Sequence, residues 1–145
     1  VTWALLVPRK SKKRTILVLN THLPEGSGNP LRRRGVEVIG AWLAERLKDP
    51  KVRRRVAVIV AGDFNSTPWS YALRRFVAGN GLVRQTVNLL TYPLRFYYLC
   101  AWRDTIPFLP LDQVMTRNGI VVHDVHAGMR TDSDHLPVVV TFSVP

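Results

Sequence analysis

At 145 residues the chain is long enough to bury a sizeable core and short enough to be a single domain. Its 46% apolar content excludes a disordered polymer, and a lone cysteine, Cys100, excludes a disulfide framework or a cysteine metal cluster. The 21 Lys+Arg against 10 Asp+Glu give a net charge of +11, which either attracts polyanions (nucleic acid, phosphorylated metabolites, an anionic lipid surface) or serves solubility alone.

Thr2 to Val7 reads as a strand with Trp3, Leu5 and Val7 on one face. The chain starts on Val1 rather than Met, has neither the basic lead nor the length of a signal peptide, and is read as a piece of something longer. No apolar run reaches the ~20 residues of a membrane span. Pro8 and the basic run to Arg14 predict a turn, and Thr15 to Asn20 predicts the returning strand. A loop at Pro24 to Gly28 follows, then an Asn29-Pro30 helix start. Val36, Ile39, Leu43 and Leu47, spaced by three and four, predict an amphipathic helix over Leu31 to Lys48, stopped by Asp49-Pro50. Val56 to Ala61 has the unbroken apolar pattern of a strand covered on both faces.

A second helix is predicted after a Thr67 cap with Pro68 at its first position. Leu73, Phe76 and Val77 make its buried stripe, and Gly79-Asn80-Gly81 its end. Leu82 to Pro110 carries little signal beyond a short strand at Phe96 to Leu99. Leu111 to Thr116 and Ile120 to Val125 read as a hairpin turned by Asn118-Gly119, and Pro137 to Val144 as the last strand. The pattern predicts an α+β fold, helices packed on a mixed sheet, with only two helices to cover one face. Trp42 and Trp69 are expected in the core or at a helix edge rather than as substrate platforms, and aromatic interleaving with the basic residues is too weak to indicate single-strand stacking. His123 and His126, three apart, should lie on opposite strand faces, which argues against a shared metal.

Polar residues stand at four predicted strand ends: Asn20-Thr21-His22-Leu23, Gly62-Asp63-Phe64-Asn65, Leu111-Asp112-Gln113-Val114 and Ser133-Asp134-His135-Leu136-Pro137. In extended chain, Asp63 and Asn65 would project together. One accepts a proton and the other donates a hydrogen bond, as water activation beside a phosphoryl group requires. The plain alternative is a strand-to-helix turn in which both bond nearby backbone. By the same standard His22 is a loop hydrogen-bonder, Asp112 a strand-start residue, and Asp134-His135 a turn ahead of Pro137.

Taken in order, these elements resemble the endonuclease/exonuclease/phosphatase superfamily, of deoxyribonuclease-I-like fold, from about Thr2 to Thr141. The stretch Ala61 to Ser70 is similar to bacterial, often membrane-anchored members. The resemblance implies a mixed, mainly antiparallel sheet with helices on one face, half of a four-layer sandwich. Residues 1–145 would then be one partial domain lacking its N-terminal half. It also implies a metal-dependent phosphoesterase using Mg²⁺ or Mn²⁺. Asp63 would deprotonate the attacking water, and Asn65 and His22 would bond the phosphoryl oxygens. His135, paired with Asp112, would contact the phosphate or move a proton, and Asp134 would be a candidate ligand or orienter for the divalent metal. Gln113 replaces the family's His, a departure read as tolerable. The Asn and metal-binding Glu of the N-terminal half have no counterpart, so activity of this stretch alone stays open. The implied substrate is a phosphate ester, including nucleic acid or anionic phospholipid, and a homodimer is the expected cover for the second sheet face. The alternatives are a non-catalytic polyanion-binding module and an oligomerising structural fragment.

Overall fold

In the computed structural model, which describes residues 1–7, 14–26 and 30–144, the apolar run before Gly62 becomes the central strand of the main sheet. In chain order the elements are β1 Thr2–Leu6, β2 Thr15–His22, α1 Pro30–Arg46, α2 Pro50–Arg55, β3 Val56–Asp63, α3 Tyr71–Gly79, β4 Val83–Arg84, β5 Arg95–Tyr98, β6 Ala101–Asp104, β7 Asp112–Arg117, β8 Val121–Ala127 and β9 Val138–Ser143. The main sheet runs β1-β2-β3-β7-β4. Among the described strands only β2 and β3 pair in parallel, with the helices α1 and α2 between them in the chain.

Because side chains alternate along a strand, β3 serves two cores. Val58 and Val60 pack with Leu17 and Leu19 under α1 and α3, against Ile39, Leu43, Leu73 and Phe76. Ala57 and Ile59 face the other way, with Ile16 and Val114, and meet Val138 and Val140 of β9. The α1 stripe is as the spacing predicts, with Val36, Ile39 and Leu43 all buried.

Several expectations are corrected. The predicted hairpin of Leu111 to Thr116 with Ile120 to Val125 does not form. The first segment pairs with β3 and β4, the second with β9. Asn118 and Gly119 do make a tight turn (φ 64° and 83°), but the turn hands the chain from one sheet to the other. The Asn118 carboxamide anchors it by donating to the carbonyls of Arg53, Arg54 and Val56. The β8–β9 pair thus covers part of the sheet face that seemed to need a second copy.

Asp49-Pro50 begins a helix as well as ending one. The Asp49 carboxylate accepts from the Lys51 amide at 2.7 Å, so the same dipeptide caps α2. Ser70, not Thr67, caps α3, because Thr67 to Ser70 is a turn closed by the Ser70 amide on the Thr67 carbonyl at 3.0 Å. Trp3, Leu5 and Val7 are exposed on or beside the edge strand β1. The Pro8 to Lys13 turn and the Asn29 cap lie outside the described residues. No helix among the described residues is long and apolar enough to cross a membrane.

Candidate active site

The register of three strands sets out the site. His22 is paired with Asp63 across the parallel β2–β3 ladder, and Asp63 with Asp112 across the antiparallel β3–β7 ladder. Registered partners point to the same side, so His22, Asp63 and Asp112 form one row across the sheet. Gly62 permits the close approach that builds it. Its φ is +130°, and a Cβ there would lie 1.9 Å from the Thr21 carbonyl oxygen.

Two carboxylates directly opposite one another repel, and two imidazoles relieve the strain. His135, carried by the loop before β9, holds Asp112 Oδ2 with Nδ1 at 2.7 Å and brings Nε2 to 3.9 Å from Asp63 Oδ2. His22 Nε2 is 3.6 Å from the same oxygen. The chain then turns back at Asn65, in the left-handed region at φ 46°, which Asn tolerates better than most residues. The Asn65 amide donates to Asp63 Oδ1 at 2.7 Å. Its carboxamide donates to Asp63 Oδ2 at 3.1 Å and to the Leu23 carbonyl at 2.7 Å. Asp63 and Asn65 therefore converge through a turn and not through extended chain. The local backbone bond and the carboxylate–carboxamide pair are both present.

Burial pushes the Asp63 carboxyl up from its ordinary value; the Asn65 amide opposes this and the Asp112 charge adds to it. The Asp112 hydrogen bond holds the His135 imidazole above its ordinary value, against the effect of burial, with further help from the charges of Asp112, Asp63 and Asp134. A carboxyl and an imidazole both displaced upward, in contact at a strand end, suit proton transfer.

Two hollows bracket the row. One of about 360 Å³ is lined by Gly62, Asp112, Ser133 and His135. Another of about 440 Å³ is lined by Asn65, Tyr92, Glu25 and Arg32. Five of the sequence-predicted residues (His22, Asp63, Asn65, Asp112 and His135) are joined by these contacts. Asp134 adjoins them, and its charge acts on His135 and Tyr92. Gln113 points away from the row: fully buried, it donates to the Pro110 carbonyl at 2.7 Å. That is the opposite strand face from Asp112, which is why a non-ionisable residue is accommodated there.

The chemistry of the donors suits Mg²⁺ in an open arrangement, since that ion often takes one or two carboxylates, water and the substrate's phosphate oxygens. Asp134, next to His135, is partly buried. No group of three or more His, Cys, Asp or Glu side chains placed to hold an ion occurs among those residues. His123 and His126 make separate pairs, with Ser143 at 2.8 Å and Asp124 at 2.5 Å.

The sequence did not mark Tyr92 or Arg32. Tyr92 packs against His135 with ring centroids 4.6 Å apart and planes tilted by 38°, and burial pushes its hydroxyl up in pKa, reinforced by the charges of Asp134, Glu25 and Asp63. Arg32 donates to the Asn65 carbonyl. The one sequence signal for Arg32 was its place in a basic run; Tyr92 sits in the weakly patterned stretch and had none. Trp42 does pack at the core edge, but Trp69 is 63% exposed.

A model of the Endonuclease/Exonuclease/phosphatase family matches residues 6–135. The chain shares its fold with a functionally unknown conserved protein from Enterococcus faecalis V583, at TM-score 0.72 and 20% identity, covering 99% of this chain and 55% of that one. A Bacteroides thetaiotaomicron VPI-5482 mannosyl-6-phosphatase matches at TM-score 0.62 and 17% identity, covering 91% and 52%. D. rerio TDP2, complexed with single strand DNA product, matches at TM-score 0.62 and 14% identity, covering 98% and 60%. The chain thus spans little more than half the length of these neighbours. No curated protein matches it.

Proposed function

The chain belongs to the endonuclease/exonuclease/phosphatase family, and from that premise we propose that it is a metal-dependent phosphoesterase whose water is activated by Asp63. One observation carries the reading: residues from four separate segments meet at Asp63, with His22 at 3.6 Å and His135, itself held by Asp112, at 3.9 Å.

In the proposed reaction the ionised Asp63 takes a proton from a water that attacks phosphorus in line. The new P–O bond forms as the ester P–O bond breaks, and the departing oxygen leaves opposite the water. Both donors of the Asn65 carboxamide are engaged by Leu23 and Asp63, so Asn65 acts as a positioning residue for the base. His22 and His135 remain as the donors for phosphoryl oxygens. Asp112 favours the protonated form of His135 and fixes its ring, which suits bonding a phosphoryl oxygen or handing a proton to the leaving group. Asp134 would contribute to holding Mg²⁺ or Mn²⁺, which when bound offsets negative charge on the phosphoryl group.

The substrate is a phosphate ester, with nucleic acid or anionic phospholipid favoured by the net charge of +11. Residues 1–145 correspond, in this reading, to the C-terminal half of a domain such as the neighbours have. A second copy would cover apolar surface that β8–β9 leaves open, including Val121, Val139 and Phe142. A monomer by light scattering at micromolar concentration removes that last element.

The test is hydrolysis of bis-p-nitrophenyl phosphate and p-nitrophenyl phosphate with Mg²⁺, Mn²⁺ or EDTA. Turnover that needs metal and falls by at least ~100-fold in Asp63→Asn supports the enzyme. Turnover that survives the substitution ends it. Absence of turnover with every ion, together with salt-sensitive DNA binding, selects the second reading, a polyanion-binding module without catalysis.

A further inference from the structure

Three hollows run in sequence along the helical face. The first opens beside Asn65 and Tyr92 and is lined by Arg32, Ser66 and Ser70. A second, of about 320 Å³, shares those three residues and adds Arg33, Val36 and Ala72. The third, of about 340 Å³, shares Arg33, Val36 and Ala72 and continues between α1 and α3 past Arg75 to Asn80. Shared walls make them one groove leading away from the Asp63 row. α3 rises ~1.5 Å per residue, so the stretch from Tyr71 to Asn80 adds about 14 Å to it. That is room for a run of backbone phosphates, well beyond a single ester.

We infer that this groove binds a single-stranded polynucleotide. Three arginines line it: Arg32, Arg33 and Arg75. Glu25 and Glu37 also line the groove; Glu37 accepts from Arg33 at 3.0 Å and fixes that guanidinium in place. The floor is low where Gly40 meets Phe76, whose ring would lie 3.5 Å from a Cβ there.

Two tyrosines line the groove, Tyr92 in its first hollow and Tyr71 in its third. Tyr71 is 67% exposed, with the Arg75 guanidinium 5.7 Å from its ring centroid. A basic track with stacking platforms is the chemistry that holds single strands without reading bases. These aromatics are sparse in the sequence and gathered in space. The binding surface stands independently of hydrolysis; its use as a substrate track rests on the phosphoesterase reading.

The experiment measures fluorescence anisotropy of a labelled single-stranded DNA of about 16 nucleotides, with the full chain in EDTA, across a salt series. Wild type is expected to bind, more weakly as salt rises. Arg33→Glu with Arg75→Glu should weaken binding at least ~10-fold and reduce the salt slope by about 1.4, two single-strand phosphate contacts. Tyr71→Ala should cost about tenfold by loss of stacking. Arg53→Glu with Arg54→Glu makes the same charge change on α2, at the opposite end of β3 from Asp63, and should alter affinity by less than about twofold. Equal losses from the two double variants would mean diffuse attraction and overturn the groove. So would binding to phosphatidylserine vesicles with none to the oligonucleotide, which points instead to the exposed Trp102, Ile106, Phe108 and Met129. Wild-type turnover of bis-p-nitrophenyl phosphate is read separately: its absence removes the hydrolase and leaves the groove standing.

Discussion

Gly62→Ala is the sharpest probe of how the site is built. At φ +130° an L side chain is strained by ~1–3 kcal/mol before any contact is considered. The added Cβ would sit 1.9 Å from the Thr21 carbonyl oxygen, where ordinary contact begins at 3.4 Å, so β2 and β3 must part by about 1.5 Å (3.4 − 1.9). Backbone cannot swing aside as a flexible side chain can, and the pairs Thr21↔Gly62 and His22↔Asp63 lie at that point. Losing one or two ladder bonds at ~1 kcal/mol each brings the total to about 2–5 kcal/mol. For a domain of this size that lowers Tm by about 10 °C, short of preventing folding. Gly79→Ala is the control: nothing lies within 4 Å of its Cβ, so it should be neutral or stabilise by up to ~1 kcal/mol. Thermal melts by circular dichroism and urea titration measure both. A Gly62→Ala protein melting within about 2 °C of wild type would refute the close-approach argument.

Asp112→Asn removes the anion that raises both His135 and Asp63, so both limbs of the pH–rate profile should move to lower pH, as initial rates across a pH series will show. The same variant tests linkage. The folded-state pKa of His135 lies above its ordinary value, so its contribution to stability is complete below about pH 6.5 and is lost as pH rises through the folded value. The Tm gap between wild type and Asp112→Asn should therefore be wider near pH 6 than near pH 9 by about the whole of that contribution; a constant gap contradicts it. Phe64→Ala empties a fully buried site whose ring lies 6.1 Å from that of Phe76, and should cost about 3–5 kcal/mol in urea unfolding.

Much of the architecture is legible in local pattern. The α1 stripe and the β3 run record burial directly, because 3.6-residue and 2-residue periods are set by backbone geometry within a few residues. The polar residues at strand ends were legible too, since a carboxylate or imidazole beside an apolar run must sit where the strand leaves the core. Pairing was not legible. Asn118-Gly119 specifies a turn, yet whether its flanking strands pair together or join different sheets depends on which apolar faces meet across the molecule. The same holds for Ser70 over Thr67 as the α3 cap, where both residues have the chemistry and the preceding turn decides.

What the chain determined unaided was the inventory: which residues carry protons, and that each stands at the end of something buried. Only the tertiary structure decided their company. Registering β2, β3 and β7 aligns His22, Asp63 and Asp112, and packing Tyr92 on His135 joins a residue with no sequence signal. Folding α1 beside α3 gathers scattered arginines and aromatics into one groove. Contacts between residues far apart in the chain follow from how whole surfaces fit, and a local window contains no record of that fit.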